Sequence, residues 1–372
     1  ADRFAEEVAD LSHVSESVFA QLAVLLPDGK GFTAYPPELK NDTAELLVKC
    51  DRVIGHLNDL QEAASSGGDA NPLQDDGKIS VWNGELTEFR DSLRWCCDTQ
   101  NYPEWAYWRE GGSLKSSCVN GGDLIPPAFD DEEVKVIALS ATMTVDHSFE
   151  YWANETGLAP DETAVLDSPF DLPSLMEIDV VDLGLQVMSP GYADAVSRVC
   201  RKYARENGGA TLILLSSRRL LTAVSAYLKM HAEKDKLNIL VQGDLPRTEL
   251  LELFKENERS VLVGMASFRE GIDVPGEALT QVIIDRIPFP HPGDPVGEAR
   301  AKLEGRENFV KAVLPGAKMQ LRQAAGRLVR TGSDRGRVVI LDGRIVTRPD
   351  WKILDSLPAV PVKKYRLVGV HK

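Results

Sequence analysis

The sequence predicts an α/β protein in which a parallel sheet carries helices on both faces, preceded by a mainly helical region. Two observations lead to this prediction. From about residue 185 onward, short apolar runs alternate with amphipathic helical segments, which is the pattern of a parallel sheet. In the first 100 residues, apolar side chains recur at spacings of three and four, the period of a helix packed on one face. The length of 372 residues suits about two domains.

The first part of the chain is predicted to contain two amphipathic helices, at residues 4–26 and 43–64, and a third helical segment at residues 84–97. Residues 65–78 are rich in Gly, Ser and Asp and are predicted to form a loop. The aromatic run at residues 105–108 is predicted to be a strand packed under these helices. Stacking of its rings on nucleic-acid bases is the alternative, since basic side chains lie nearby.

The apolar runs that follow are predicted to form strands. Residues 134–139 are predicted to be a strand buried on both faces, which brings Ser140 and Thr142 to its carboxyl end, where open α/β sheets bind ligands. After residue 185, the predicted helices cover residues 191–207, 219–231 and 247–257, and the predicted strands cover residues 211–215, 239–241, 261–265, 282–284 and 338–341.

A basic segment precedes the last predicted strand. On a helix, Gln323, Arg327 and Arg330 fall at i, i+4 and i+7, so one face carries an amide and two guanidinium groups. Gly326 lies between them, and a glycine inside a helix costs about 1 kcal/mol relative to alanine. Close approach of a ligand or another domain would justify it. A solvated cationic surface is the alternative interpretation of this helix.

The combination Q-x-x-G-R-x-x-R followed by D-R-G and a strand resembles motif VI of superfamily 2 helicases, and residues 266–276, ASFREGIDVPG, resemble motif V. Residues from about 100 to 345 resemble the DinG and XPD branch of these enzymes, which implies a RecA-like fold for the sheet. In that branch two arginines, here Arg327 and Arg330, reach the γ-phosphate of ATP. An arginine inserted at a transferring phosphoryl group can be worth about 10³ to 10⁵ in rate.

The resemblance also implies the remaining binding residues. Those facing ATP would be Gln323, Gly326, Glu270, Gly271 and Asp273. Those facing DNA would be Ser140, Thr142, Ser216, Ser217, Arg218, Ser267 and Arg269. An ordinary helix cap is the alternative role of the serines that follow the strand at residues 211–215.

Three regions are implied: a helical arch-like insertion at residues 1–100, the end of the first motor domain with a crossover at 101–180, and a RecA-like second motor domain at 181–372. A complete motor also needs a phosphate loop, G-x-x-x-x-G-K-[S/T], and an acidic pair that holds Mg²⁺. The sequence contains neither pattern. We therefore expect the C-terminal portion of a longer helicase, inactive alone, with ATP bound jointly and the Mg²⁺ ligands supplied by a missing N-terminal half.

The function implied is ATP-dependent translocation on single-stranded or forked DNA, in the 5′ to 3′ direction of this branch. The alternative is a non-catalytic module that binds nucleic acid or docks a partner. A nuclease has less support, because no cluster of carboxylates with metal-ligand spacing stands out, and no metal site is predicted.

The distribution of charge modifies what the acidic composition implies. A net charge of −15 opposes nucleic-acid binding by the chain as a whole. However, the first 100 residues hold 19 Asp and Glu against 8 Lys and Arg, whereas residues 320–348 hold 7 arginines against 2 aspartates. The basic surface is therefore expected near the segment that resembles motif VI.

Cysteine usage and hydropathy indicate the compartment. The 5 cysteines are scattered and form no C-x-x-C pair, which indicates reduced thiols and gives no support for an iron–sulfur cluster or a zinc site. No apolar run reaches about 18 residues, so no membrane span is predicted. The acidic N-terminus lacks the features of a signal peptide, and a cytoplasmic location is expected.

Overall fold

The computed structural model describes residues 2–66, 76–129, 135–187, 189–269, 274 and 276–367. The chain forms two compact units. The first comprises Ala1–Asp130 and Pro290–Asn308, and the second comprises Asp131–Phe289 and Phe309–Lys372.

The helices are α1 (Asp2–Leu25), α2 (Lys40–Ser66), α3 (Asp76–Cys97), α4 (Glu150–Thr156), α5 (Leu172–Leu175), α6 (Tyr192–Glu206), α7 (Arg218–Asp235), α8 (Arg247–Glu256), α9 (Pro295–Glu304), α10 (Leu314–Ala325) and α11 (Arg344–Thr347). The strands are β1 (Gly31–Phe32), β2 (Trp105–Glu110), β3 (Ser113–Cys118), β4 (Met176–Asp182), β5 (Thr211–Leu215), β6 (Asn238–Val241), β7 (Ser260–Met265), β8 (Gln281–Ile284), β9 (Gly336–Ile340) and β10 (Val362–Arg366). A π-helical turn, Phe309–Val313, leads into α10.

The first unit is built on the three long helices α1, α2 and α3, which the apolar periodicity predicted. Their apolar faces meet in a core that includes Leu22, Leu46 and Leu93, each at most 3% exposed. A small antiparallel sheet, in the order β1-β2-β3, belongs to the same unit. Residues 67–75, which form most of the predicted loop, lie outside the described residues.

The aromatic run at residues 105–108 lies in β2, as predicted. Tyr107 is buried, and the ring of Trp95 on α3 contacts the rings of Tyr102 and Trp105 at centroid distances of 4.1 and 4.9 Å. These side chains therefore pack against the helices of the first unit, which is the role that the packing interpretation predicted.

The compact units differ from the predicted regions at residues 1–100 and 101–180. The β2–β3 hairpin lies beyond residue 100, yet it pairs with β1 and so belongs to the first unit. Helix α9 joins this unit as well, because it packs on β1 and β2, where Pro295 lies beside Gly31. Contacts between such distant segments have no local signature in the sequence.

The second unit contains a parallel sheet whose described strands run in the order β10-β4-β9-β8-β5-β7-β6. Alternate residues of the central strands face two separate apolar cores, so Leu212 and Leu214 lie on one side and Ile213 and Leu215 on the other. Helices α8 and α10 cover the first core, and α6 and α7 cover the second. The α/β class predicted from the alternation is confirmed.

Strand prediction failed at three places in this unit. The described part of the predicted strand at residues 135–139 is not a strand, and Ile137 and Leu139 are 82% and 89% exposed. No described strand lies beside this segment to satisfy its backbone N–H and C=O groups, and an apolar sequence alone is not sufficient to form a strand. Strand β4 was missed because Glu177 and Asp179 interrupt its apolar run. Strand β10 was missed because it is an exposed, lysine-containing edge strand.

Gly336 opens β9 at a point where the backbone of a neighbouring segment lies very close. A Cβ atom at this position would be 2.0 Å from the carbonyl oxygen of Thr280 and 2.9 Å from Cδ1 of Leu328. Because the closest atom belongs to the backbone, the strand would have to move. We expect Gly336→Ala to lower the free energy of unfolding by about 3 kcal/mol, measured by urea denaturation.

Gly332→Ala is the matched control for this substitution. Gly332 lies in an exposed turn, and a Cβ atom there would meet nothing within 4 Å. Its effect on the free energy of unfolding should stay within about 0.5 kcal/mol. Equal losses in the two variants would contradict the steric role of Gly336.

Candidate functional site

The carboxyl edge of the parallel sheet carries a row of polar side chains. Ser216 follows β5, Asp285 follows the neighbouring strand β8, and Asp342 follows β9. The Ser216 hydroxyl donates to Asp285 Oδ2 at 2.5 Å, and both aspartates are almost fully buried. Burial raises the pKa of the Asp285 carboxyl to about 7, although the hydrogen bond from Ser216 opposes the increase. A buried acid therefore lies directly beside a predicted DNA contact.

Asp342, which was not predicted as a site residue, holds two loops of this edge together. Its Oδ2 atom accepts the N–H of Ile287 at 2.9 Å and a hydrogen bond from Nη2 of Arg344 at 2.7 Å. The Arg344 guanidinium in turn lies 5.2 Å from the ring centroid of Phe289. The loops that follow β8 and β9 are thus joined through one carboxylate.

Ser217 and Arg218 lie at the N-terminus of α7. The Ser217 hydroxyl accepts the N–H of Leu220 at 3.3 Å and so caps the helix, and Arg218 is exposed. The cap role considered for these serines is therefore observed for Ser217. Because helix N-termini also attract phosphate groups, Ser216, Ser217 and Arg218 form a surface that is suited to an anion.

The helical face predicted for Gln323, Arg327 and Arg330 is wrong, because α10 ends before the two arginines. Gly326 caps the helix, and the chain then turns tightly. The N–H groups of Arg327 and Leu328 bond to carbonyl oxygens three residues back instead of four, and Leu328 packs into the core of the second unit. The arginines lie on the loop between α10 and β9.

Asp334 holds this arginine loop, although its carboxylate was not predicted to have a role. It accepts the N–H groups of Arg330 and Thr331, each at 2.8 Å, and that of Gly276 at 3.0 Å. Burial alone would raise the pKa of this carboxyl, but the backbone donors lower it below its usual value. Because Gly276 ends the segment that resembles motif V, Asp334 joins it to the segment that resembles motif VI. The only feature of the sequence that pointed to Asp334 was the D-R-G pattern, which begins at this residue.

One face of α10 holds the segment that follows Ser140. The Gln323 amide donates to Thr142 Oγ1 at 3.0 Å, which brings a residue predicted to face ATP into contact with one predicted to face DNA. Ser140 is linked to Thr142 in turn, since its hydroxyl accepts the Thr142 N–H at 3.2 Å. Two contacts that were not predicted extend this attachment: Arg322 Nη1 to Thr144 O at 3.2 Å, and Lys318 Nζ to Asp146 Oδ2 at 2.6 Å.

Several predicted site residues lie outside the described part of the chain. These are Glu270, Gly271 and Asp273, together with the side chains of Ser267 and Arg269. The backbone at Ser267 and Arg269 belongs to a short 3₁₀ helix that directly follows β7, at the same edge of the sheet as Ser216. The contacts predicted for these residues stay predictions.

The described residues show neither a metal site nor a helix that could cross a membrane. Among the described residues, no group of three or more His, Cys, Asp and Glu side chains is arranged to hold a metal ion. None of the described helices combines the length and the apolar character that crossing a membrane requires. The described site thus consists of hydroxyl, carboxylate, amide and guanidinium groups.

Comparison with known proteins extends these observations. Residues 200–360 match the family described as helicase C-terminal domain. The ATP-dependent DNA helicase YoaA of Escherichia coli is 32% identical over 269 residues, which cover 70% of this chain and 42% of that relative. The ATP-dependent DNA helicase DinG of Photobacterium profundum is 36% identical over 233 residues, which cover 60% of this chain and 34% of that relative.

The fold has solved counterparts as well. The structure of S. tokodaii Xpd4 matches with a TM-score of 0.60 at 14% sequence identity, over 96% of this chain and 66% of that chain. This likeness supports the RecA-like α/β fold. The chain spans less than half of the length of the two helicase relatives, at 42% and 34%.

The parallel sheet with polar strand ends, together with the matched family, defines a helicase C-terminal domain with a RecA-like fold. Residues 200–360 belong to the helicase C-terminal family, and the matches to YoaA, DinG and Xpd4 support the C-terminal portion of a DinG/XPD-type superfamily 2 helicase. The family inferred from the segments that resemble motifs V and VI is thus confirmed. The roles of the individual site residues stay predictions.

Proposed function

We propose that this chain is the C-terminal motor portion of a cytoplasmic, ATP-dependent DNA helicase that couples ATP hydrolysis to 5′ to 3′ translocation on single-stranded DNA. The observation that carries the proposal is the Asp334 carboxylate, which ties the loop of Arg327 and Arg330 to Gly276. A loop held by several backbone hydrogen bonds presents its arginines in a reproducible position. Catalytic groups that must meet a phosphate require such preorganisation.

Arg327 and Arg330 supply the nucleotide chemistry in this proposal. Transfer of the γ-phosphoryl group spreads negative charge over its oxygens, and planar guanidinium groups neutralise that charge with directed hydrogen bonds. Gln323 and Gly326, at the end of α10, lie beside this loop in the sequence and complete the side of the site that the chain provides. The phosphate loop and the Mg²⁺ ligands would come from an N-terminal motor domain, since neither sequence pattern occurs in this chain.

Ser216, Ser217 and Arg218 are the proposed contacts with the DNA backbone. The N–H groups at the start of α7 and an exposed guanidinium bind phosphate oxygens without reading the base. The hydrogen bond between Gln323 and Thr142 offers a physical link between the two ligands. A displacement of α10 during hydrolysis would therefore displace Thr142, which is proposed to face DNA.

The test is steady-state ATP hydrolysis, with and without single-stranded DNA, by the full polypeptide that carries this chain and by the isolated 372-residue chain. We expect DNA-stimulated turnover by the full polypeptide and none by the isolated chain, because the latter has no phosphate-loop pattern. Robust turnover by the isolated chain would contradict a shared nucleotide site. DNA binding without turnover by the full polypeptide would indicate a non-catalytic binding or docking module instead.

A further inference from the structure

Asp285 is a buried acid that the proposed mechanism does not use. It is 1% exposed, and together with Ser216 it lines a cavity at the carboxyl edge of the sheet. Its Oδ2 atom accepts the hydrogen bond from the Ser216 hydroxyl at 2.5 Å, a length typical of an O–H group bonded to an ionised carboxylate. The protonation state of Asp285 therefore determines the direction in which the Ser216 hydroxyl proton points.

The direction of this proton matters for any contact between Ser216 and a phosphate group. A serine hydroxyl has one proton and can donate one hydrogen bond, whereas a phosphate oxygen accepts. While Asp285 is ionised, Ser216 donates to it and offers an anion only lone pairs. If Asp285 is protonated, its own O–H donates to the Ser216 oxygen, and the serine proton becomes available to the phosphate.

We propose that Asp285 is a positioning residue for DNA binding, which takes up one proton when Ser216 donates a hydrogen bond to a phosphate group of single-stranded DNA. The inference rests on the proposed function, because it requires Ser216 to face DNA. The proton moves from solvent to Asp285, and Ser216 keeps its own proton but redirects it. A nearby phosphate disfavours a second negative charge, so DNA binding and proton uptake promote each other.

The surroundings of Asp285 support a change of charge near neutral pH. Burial raises the pKa of its carboxyl to about 7, Arg286 lowers it and Asp342 raises it. Among the described residues, the titratable or charged groups that face it are Arg286, whose Nε lies 3.8 Å from Oδ2, Asp342 after β9, Arg344 on α11, and Tyr192 and Cys200 on α6. The Tyr192 hydroxyl donates to the Asp285 carbonyl oxygen at 3.3 Å. Burial raises the pKa of both Tyr192 and Cys200, so these two groups stay neutral as Asp285 titrates.

The test measures the affinity of the full polypeptide for a fluorescent oligothymidylate by anisotropy, without nucleotide, at about pH 6 and about pH 8. Relative to Asp285→Asn, the wild-type affinity should fall about tenfold over this range, as expected when one proton is bound with a pKa near 7. Asp285→Asn should keep tight binding at both pH values, because its amide N–H donates to Ser216 as the protonated acid does. Ser216→Ala should bind at both pH values as weakly as the wild type does at the higher one.

Asp179→Asn is the matched control. Asp179 is also 1% exposed and burial raises its pKa, but it lies within β4 and contacts Arg337 at 3.4 Å. This variant should keep the wild-type dependence on pH. If the DNA affinity of Asp285→Asn depends on pH as that of the wild type does, the proposed role of Asp285 is overturned. The same holds if Asp179→Asn loses this pH dependence. Neither result would contradict DNA binding itself. If the wild type binds no DNA at both pH values, the proposed function is overturned as well.

Discussion

Replacing Arg327 or Arg330 by alanine should lower DNA-stimulated ATP turnover by about 10³-fold or more, with nucleotide affinity close to that of the wild type. The reason is that the guanidinium groups are proposed to neutralise negative charge that develops on the γ-phosphoryl group in the transition state. Bound ATP carries less of this charge, so its affinity depends less on the two arginines. Turnover is measured from steady-state hydrolysis by the full polypeptide, and nucleotide affinity in a separate binding assay. A loss confined to turnover would identify groups that act in the transition state.

Two further variants separate this role from general effects of removing an arginine. Arg348→Ala removes an arginine that follows β9 and pairs with the exposed Asp350 at 2.7 Å, so turnover should be unaffected. Arg327→Lys keeps the charge but loses the planar fork that binds two oxygens, so it should restore little turnover. Unchanged turnover in both Arg327→Ala and Arg330→Ala would contradict the proposed site.

Asp334→Asn should lower turnover by about 100-fold, because the arginine loop would lose its fixed position. The carboxylate uses Oδ1 for Gly276 and Oδ2 for Arg330 and Thr331, whereas asparagine offers one acceptor oxygen. Some backbone donors would therefore lose their partner. We expect a decrease of about 2 kcal/mol in the free energy of unfolding, measured by urea denaturation beside the turnover assay.

The stability effect of Asp334 should depend on pH in a defined direction. Its pKa in the folded protein lies below the unfolded value of about 3.9, so the carboxylate stabilises the fold above about pH 4. This contribution is lost as the pH falls through the folded-state pKa. The difference in unfolding free energy between wild type and Asp334→Asn should therefore narrow at about pH 3.

Asp350→Asn serves as the control for both measurements. Asp350 is an exposed partner of Arg348, and surface ion pairs of this kind contribute little to stability. Its substitution should leave turnover unchanged and have a small effect on unfolding. Normal turnover in Asp334→Asn, despite lower stability, would show that the position of the arginine loop does not limit catalysis.

The central part of the fold could be predicted from local patterns. The strand predicted at residues 211–215 has the same bounds in the structure, because every residue of this apolar run is buried between two layers of helices. Helices α6, α7 and α8 were predicted within a few residues, since their apolar side chains repeat with the helical period. The strings at residues 266–276 and 323–330 indicated the family because their order and spacing are specific.

Local patterns failed where a distant contact determines the path of the chain. Periodicity extended the helix through Arg327 and Arg330, but the helix ends at Ala325, and Asp334, which also accepts the N–H of Gly276, accepts the N–H groups of Arg330 and Thr331. The apolar run at residues 135–139 predicted a strand, but an apolar segment becomes a strand only beside a partner strand. Both errors arise from treating a segment as independent of its neighbours.

The sequence by itself determined the central helices and strands of the second unit, the parallel α/β class and the helicase family. Only the tertiary structure decided that Asp334 meets Gly276 across 58 positions, that Gln323 meets Thr142 across 181 positions and that Asp285 is buried beside Ser216. Helical and strand periodicities act over a few residues, so they are visible in the order of side chains. A hydrogen bond between distant residues, or the pKa of a buried acid, depends on how the whole chain folds and which groups it brings together.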